Sequence, residues 1–230
     1  MTPLVLVPGM MCDARLFAPQ IAALSGVLPI FLAPIAARAR VEDLAADILA
    51  RAPPVFSLAG LSMGGIVAME IVRQAPSRVE RLALLDTNPL AEAEAVKERR
   101  GPQIKAVRQG RLESVMRDEM KPNYLADGEG RGAILDLCMD MALGLGPEVF
   151  IRQSCALMGR PDQTATLREC ALPALILCGR HDTLCPIERH ELMAGLILGS
   201  RLTVIERAGH LPTLEQSDAV NAEFRRWLDV

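Results

Sequence analysis

The sequence predicts an α/β fold, a doubly wound, mostly parallel sheet of about six strands in the order 2-1-3-4-5-6, carrying an inserted helical cap. Three observations predict it. Short apolar runs alternate with helical patterns along the 230 residues. The runs are Val/Ile/Leu-rich throughout rather than alternating, as expected where helices cover both faces of a sheet. One long interval between two of the runs breaks the rhythm.

The strand candidates are residues 4–7, 28–33, 55–59, 82–85, 174–178 and 202–205. Helical patterns lie between them near 14–24, 41–51, 65–75, 187–198 and 213–228. Pro76 closes the third, and Pro186 and Pro212 stand where the last two begin. Strand and helix in regular alternation imply right-handed crossovers, hence a parallel sheet. The break runs from Asn88 to Pro173, where one crossover helix needs far less chain. It reads as short amphipathic helices at about 90–100, 102–109, 111–120, 129–143 and 146–158, split by Gly-Pro, Lys-Pro and glycine-rich breaks. Leaving and rejoining the C-terminal edge of the sheet, it is placed to roof a site. Residues 1–89 and 166–230 then form the core domain and residues 90–165 the cap.

Composition narrows the function classes. Half the residues are apolar and the net charge is −3, which gives no electrostatic reason to expect nucleic acid. No apolar run approaches the roughly 20 residues of a membrane span, and the N-terminal run has no basic leader and meets Pro8-Gly9 early. Cysteines 12, 138, 155, 170, 178 and 185 show no metal-ligand or CxxC spacing; free thiols in a reducing cytoplasm are expected, with no metal or cofactor.

The stretch "LAGLSMGGIVAMEI" puts Ser62 between Gly60 and Gly64 at the seam of a strand and a helix. A G-x-S-x-G turn in that context lifts a serine hydroxyl out on a sharp bend, with the Met63 N–H facing a developing oxyanion. A serine nucleophile needs a base and the base an orienting carboxylate. Of the three histidines, His190 falls in mid-helix and reads as solvent-facing, and His181 adjoins a better candidate for another role. His210, in "ERAGHLPTLEQ" after the last strand, reaches the same edge as Ser62 and is the expected base. For the acid, Asp182 follows the fifth strand in "LILCGRHDTLCP", and the order Ser62, Asp182, His210 suits such a sheet. Asp86, in "LALLDTNP" after the fourth strand, is the alternative acid or a turn-former.

The early P-G-x-x loop, G-x-S-x-G-G, the G-R-x-D-x-x-x-P loop and the A-G-H loop occur in that order over nearly the whole chain. In this the sequence resembles the α/β-hydrolase superfamily, specifically compact, helically capped serine esterases such as the pimeloyl-carrier-protein methyl ester esterases. The resemblance implies nucleophile Ser62, acid Asp182, base His210 and an oxyanion hole from the backbone N–H groups of Met10 and Met63. It also implies a small-molecule ester substrate. Two departures stand out: Pro8-Gly9 replaces the His-Gly often found in that loop, and the usual N-terminal hairpin is lacking. Met116, Met120, Met139, Met141 and Met158 in the insertion, with Met10, Met11 and Met63, suggest an uncharged, apolar substrate portion if they line the pocket. Thioesterase, carbon–carbon hydrolase and perhydrolase chemistry use the same triad, and a small-molecule receptor with little turnover is the alternative from another class.

Overall fold

The computed structural model describes residues 1–230. Six strands form one sheet: β1 (Leu4–Val7), β2 (Ile30–Leu32), β3 (Phe56–Leu61), β4 (Val79–Leu85), β5 (Ala174–Gly179) and β6 (Arg201–Ile205). Their spatial order is β2-β1-β3-β4-β5-β6 and every pairing is parallel, as the alternation predicts.

Continuous apolar strands have a simple cause here, because successive side chains enter different cores. Val5 and Val7 of β1 point into one, Leu4 and Leu6 into the other. Leu82 and Leu84 of β4 join the first, while Ala83 and Leu85 join the second. The first core is covered by α2 (Val41–Leu49), α3 (Met63–Gln74), α8 (Thr164–Glu169) and α9 (Ile187–Leu196). The second lies under α1 (Ala18–Leu24) and α11 (Ser217–Leu228), the latter through Val220, Phe224 and Trp227. The short α10 (Pro212–Glu215) precedes α11. No helix is long and apolar enough to cross a membrane.

Between β4 and β5 the chain builds α4 (Glu94–Arg108), α5 (Leu112–Ser114), a π-helical turn over Val115–Met120, α6 (Arg131–Leu145) and α7 (Pro147–Met158). The Gly-Pro break expected at residues 101–102 does not divide the first of these, since α4 runs through Pro102. A proline disfavours helical geometry in its predecessor by clashing with that residue's Cβ. The predecessor is Gly101, which has none, so the helix continues with the loss of one backbone bond. α8, unforeseen in the sequence, is a short helix that follows Gln163.

Glycine sets the closest approach in the fold. A Cβ at Gly64 would lie 2.0 Å from the Val7 carbonyl oxygen, and one at Gly60 would lie 2.3 Å from that of Gly64. Strands β1 and β3 and the start of α3 therefore touch backbone to backbone, which brings the loop after β1 and the β3–α3 turn to one point.

Gly64→Ala is expected to destabilise the protein by about 3 kcal/mol or more, since backbone must move to admit the methyl group. Exposed Pro102→Ala restores a helix bond and is expected to stabilise it by about 1 kcal/mol. Urea unfolding of both variants checks the opposite signs.

Candidate active site

Ser62 joins β3 to α3 with φ 56° and ψ −118°, a strained conformation for a residue bearing a Cβ. The surroundings over-determine it. Its N–H donates to the Leu85 carbonyl at 2.9 Å, and its own carbonyl accepts from the Thr87 hydroxyl at 2.7 Å and the Gly65 N–H at 2.9 Å. A Cβ at Gly65 would meet that Thr87 side chain at 2.7 Å. The hydroxyl is thus held at the C-terminal edge of the sheet.

His210 lies in the loop after β6, with Nε2 2.9 Å from the Ser62 Oγ and Nδ1 2.8 Å from Asp182 Oδ2. Asp182 lies in the loop after β5, and its Oδ1 accepts from the N–H groups of Leu184 and Cys185 at 2.8 and 3.0 Å. Burial works to raise the Asp182 carboxyl, but the adjoining His210 imidazole and these two amides outweigh it and hold it below the ordinary carboxylate value. The two loops meet because Gly179 has no side chain: a Cβ there would stand 2.0 Å from the Gly209 carbonyl.

The histidine loop is held by a residue the sequence reading missed. Glu215 accepts from the N–H groups of Gly209 at 2.9 Å, Leu211 at 3.0 Å and Ala126 at 2.8 Å. The His210 N–H donates to the Tyr124 carbonyl at 2.7 Å. Tyr124 and Ala126 belong to the long insertion, so core and insertion together position the imidazole. An S/T/D-type capping motif gives no hint of this, and the pairing of residue 215 with 126 is legible only in three dimensions.

Met10 and Met63 line the same cavity as Ser62. In the loop of Met10, the Cys12 N–H donates to the Gly9 carbonyl and the Met11 N–H to Gln153 Oε1 at 2.9 Å, leaving the Met10 N–H without a protein acceptor. Gln153 of α7 also donates to the Ile35 carbonyl at 3.0 Å, another long-range tie with no sequence signature. Met11 itself takes φ 55°.

Asp86, the alternative acid, is not hydrogen bonded to His210. Its Oδ1 accepts from the Gly179 N–H at 2.8 Å, across β4 and β5. His181 is exposed. His190 corrects an expectation: it is fully buried, not solvent-facing. Its Nε2 accepts from the Thr87 N–H at 3.1 Å and its Nδ1 lies 3.3 Å from the Pro186 carbonyl, so it bridges the end of β4 to the acid loop. Helical position alone could not reveal that the face of α9 carrying it turns inward.

The cavity above Ser62 measures about 610 Å³. Its apolar lining includes Met10, Leu61, Met63, Ile66, Leu157 and Leu211. Arg99, Arg100, Gln103, Arg160, Arg189 and Glu92 line it as well; the buried Glu92 carboxylate pairs with both Arg100 and Arg160, and Arg100 Nη1 lies 3.9 Å from the Met10 sulfur. Of the eight methionines considered, Met10, Met63 and Met120 line it, whereas Met116 and Met141 fill the cores. Asp182, Cys185 and His210 bring donor atoms within 4.8 Å of one another. His210 Nδ1 and Asp182 are already engaged with each other, and burial pushes the Cys185 thiol up, away from the thiolate a metal needs.

A model of the "Alpha/beta hydrolase family" matches residues 4–223. The chain belongs to the α/β-hydrolase family. Among its relatives is a pimeloyl-[acyl-carrier protein] methyl ester esterase of Neisseria meningitidis, 25% identical over 86% of this chain and 78% of that protein. Another of the same description, from Aliivibrio salmonicida, is 27% identical over 81% and 74%. Among solved structures, a thermophilic esterase from Thermogutta terrifontis, with malate bound, superposes on this α/β-hydrolase with a TM-score of 0.91. It is 28% identical, over 100% of this chain and 90% of that one.

Burial lowers the His190 imidazole to about 4. A base depressed on folding contributes stability that is complete above its unfolded value, near 6.5, and lost as pH falls toward 4. The loss approaches about 3 kcal/mol at the acid end. Urea titrations between pH 7.5 and 5 are expected to show a steeper decline for the wild type than for His190→Gln, whose amide oxygen accepts from Thr87 without titrating.

Proposed function

We propose that this α/β-hydrolase is a cofactor-free serine hydrolase that cleaves a small carboxylic ester through an acyl-enzyme. The observation that carries the reading is the unbroken line from Ser62 Oγ through His210 to Asp182, with bonds of 2.9 and 2.8 Å, opening on the cavity. Ser62 attacks the ester carbonyl while His210 Nε2 takes its proton. The proton passes to the leaving alcohol, and water, activated by the same imidazole, then releases the acid. Asp182 fixes the tautomer in which Nε2 is free to accept, and stabilises the imidazolium. The Met10 and Met63 N–H groups receive the oxyanion; the Met10 amide, free of any protein acceptor, supports that assignment.

Residues 90–165 act as a cap over this site, a reading supported by the many cavity-lining residues between Leu90 and Arg160. The apolar part of the cavity wall receives an uncharged acyl group. Six unpaired cysteines favour a cytoplasmic setting. The esterase names of the relatives at 25% and 27% identity agree with ester cleavage.

A serine-reactive phosphonate is expected to label the protein once, at Ser62, and Ser62→Ala to abolish both labelling and turnover of simple esters. Asp182→Asn is expected to cost on the order of 10⁴ in kcat through loss of tautomer control. Labelling that persists in Ser62→Ala, or a single stoichiometric acylation without sustained turnover, would refute the enzyme reading.

With unbranched monocarboxylic esters, kcat/KM is expected to rise a few-fold per added acyl carbon, in line with about 0.8 kcal/mol per buried methylene, until the apolar wall is filled. A flat profile would remove the acyl group from that wall.

A further inference from the structure

The proposed reaction leaves one buried acid beside the triad without a task. Asp86 follows β4 with φ 43°, in the left-handed region, and its side chain is wholly buried. Its Oδ1 accepts from the Gly179 N–H at 2.8 Å, while its buried Oδ2 has no donor. The Asp182 N–H donates to the carbonyl of that same Gly179 at 3.3 Å, and the Asp182 carboxyl acts on Asp86 as its neighbouring charge.

Two carboxylates packed together away from water cannot both stay ionised unless a cation joins them. The titratable groups facing this pair are Cys178 of β5, Cys185 of the acid loop, His190 of α9, His210 and Glu215 of α10. Arg160 and Arg189 act on Cys185, but no lysine or arginine is ion-paired with either carboxyl. Asp182 has three donors, the imidazole and two amides; Asp86 has one. The proton therefore resides on Asp86, a conclusion that burial and the neighbouring Asp182 charge reinforce by pushing its carboxyl well above the ordinary range.

We propose that Asp86 is a positioning residue, a neutral carboxylic acid whose Oδ2–H donates to the Asp182 carboxylate and fixes the rotamer that faces His210. The unfilled Oδ2 valence and the missing fourth donor on Asp182 are then one hydrogen bond. The inference rests on the reading of Asp182 as the orienting acid. A donor behind Asp182 also draws off part of its charge and so weakens its pull on the His210 Nδ1–H.

The test compares Asp86→Asn with Asp86→Ala. Asparagine keeps both bonds, with its amide oxygen on Gly179 N–H and its NH₂ toward Asp182. It is expected to retain kcat to within a few-fold and to leave the acid limb of the pH–rate profile in place. Alanine removes the donor and is expected to lower kcat by about 10-fold or more, with the acid limb shifted upward. Infrared difference spectra of wild type against Asp86→Asn at neutral pH are expected to show loss of one protonated-carboxyl carbonyl band.

An acid limb that moves downward in Asp86→Asn, or no lost carbonyl band, would mean that Asp86 is ionised and overturn the proposal. An alanine variant matching asparagine in kcat and pH profile would overturn it as well. If alanine fails to fold, the asparagine profile and the infrared band decide alone. An Asp182→Asn variant of near-normal kcat would instead overturn the reading of Asp182.

Discussion

The backbone-to-backbone contact at Gly64 is the constraint on which the rest of the structure depends. Only with no side chain at residues 60 and 64 do β1, β3 and α3 approach to van der Waals distance. That approach sets Ser62 at the apex of a strained turn, and the Leu85 carbonyl and Thr87 hydroxyl of the neighbouring strand end lock it there. The strain costs of order 1–3 kcal/mol, and many long-range bonds meet at the strand ends to sustain it. A second approach of the same kind, Gly179 against Gly209, brings the acid and histidine loops together. Two glycine contacts thus reduce four separate loops to one small volume.

What the sequence made legible followed from periodicity and local chemistry. The six strands and their order were readable because fully buried parallel strands carry no polar alternation, and the G-x-S-x-G turn because its glycines have a local reason. Ser62, His210 and Asp182 were named by the ends of strands they follow, and the structure brings their side chains together. What stayed hidden depends on contacts between distant segments. Glu215 reaches Ala126, Gln153 reaches Met11, and His190 reaches Thr87, each across about 90 residues or more. No single-chain pattern announces such pairs. The continuity of α4 through Pro102 was missed for a subtler reason, since the residue that makes the proline tolerable is the glycine that made it look like a break.

The cavity wall is chemically mixed. Aliphatic and thioether groups share this lining with Ser62 and the buried His210, and a low local dielectric strengthens the bond between the two. The same lining buries Glu92 between Arg100 and Arg160, and a paired carboxylate of this kind fixes geometry more than it adds stability. It pins the start of the insertion near Leu90, whose carbonyl also accepts from Arg160 at 3.0 Å.

The insertion's grip on the histidine loop has a consequence for modularity. The His210 N–H bonds to Tyr124, and one carboxylate, Glu215, bridges the histidine loop to Ala126. The helical segment is therefore not an interchangeable accessory placed over a finished core. Grafting a different segment between β4 and β5 would re-aim the imidazole along with the cavity wall. Drift in one can be tolerated only with compensating drift in the other, so ligand preference and imidazole geometry are inherited together.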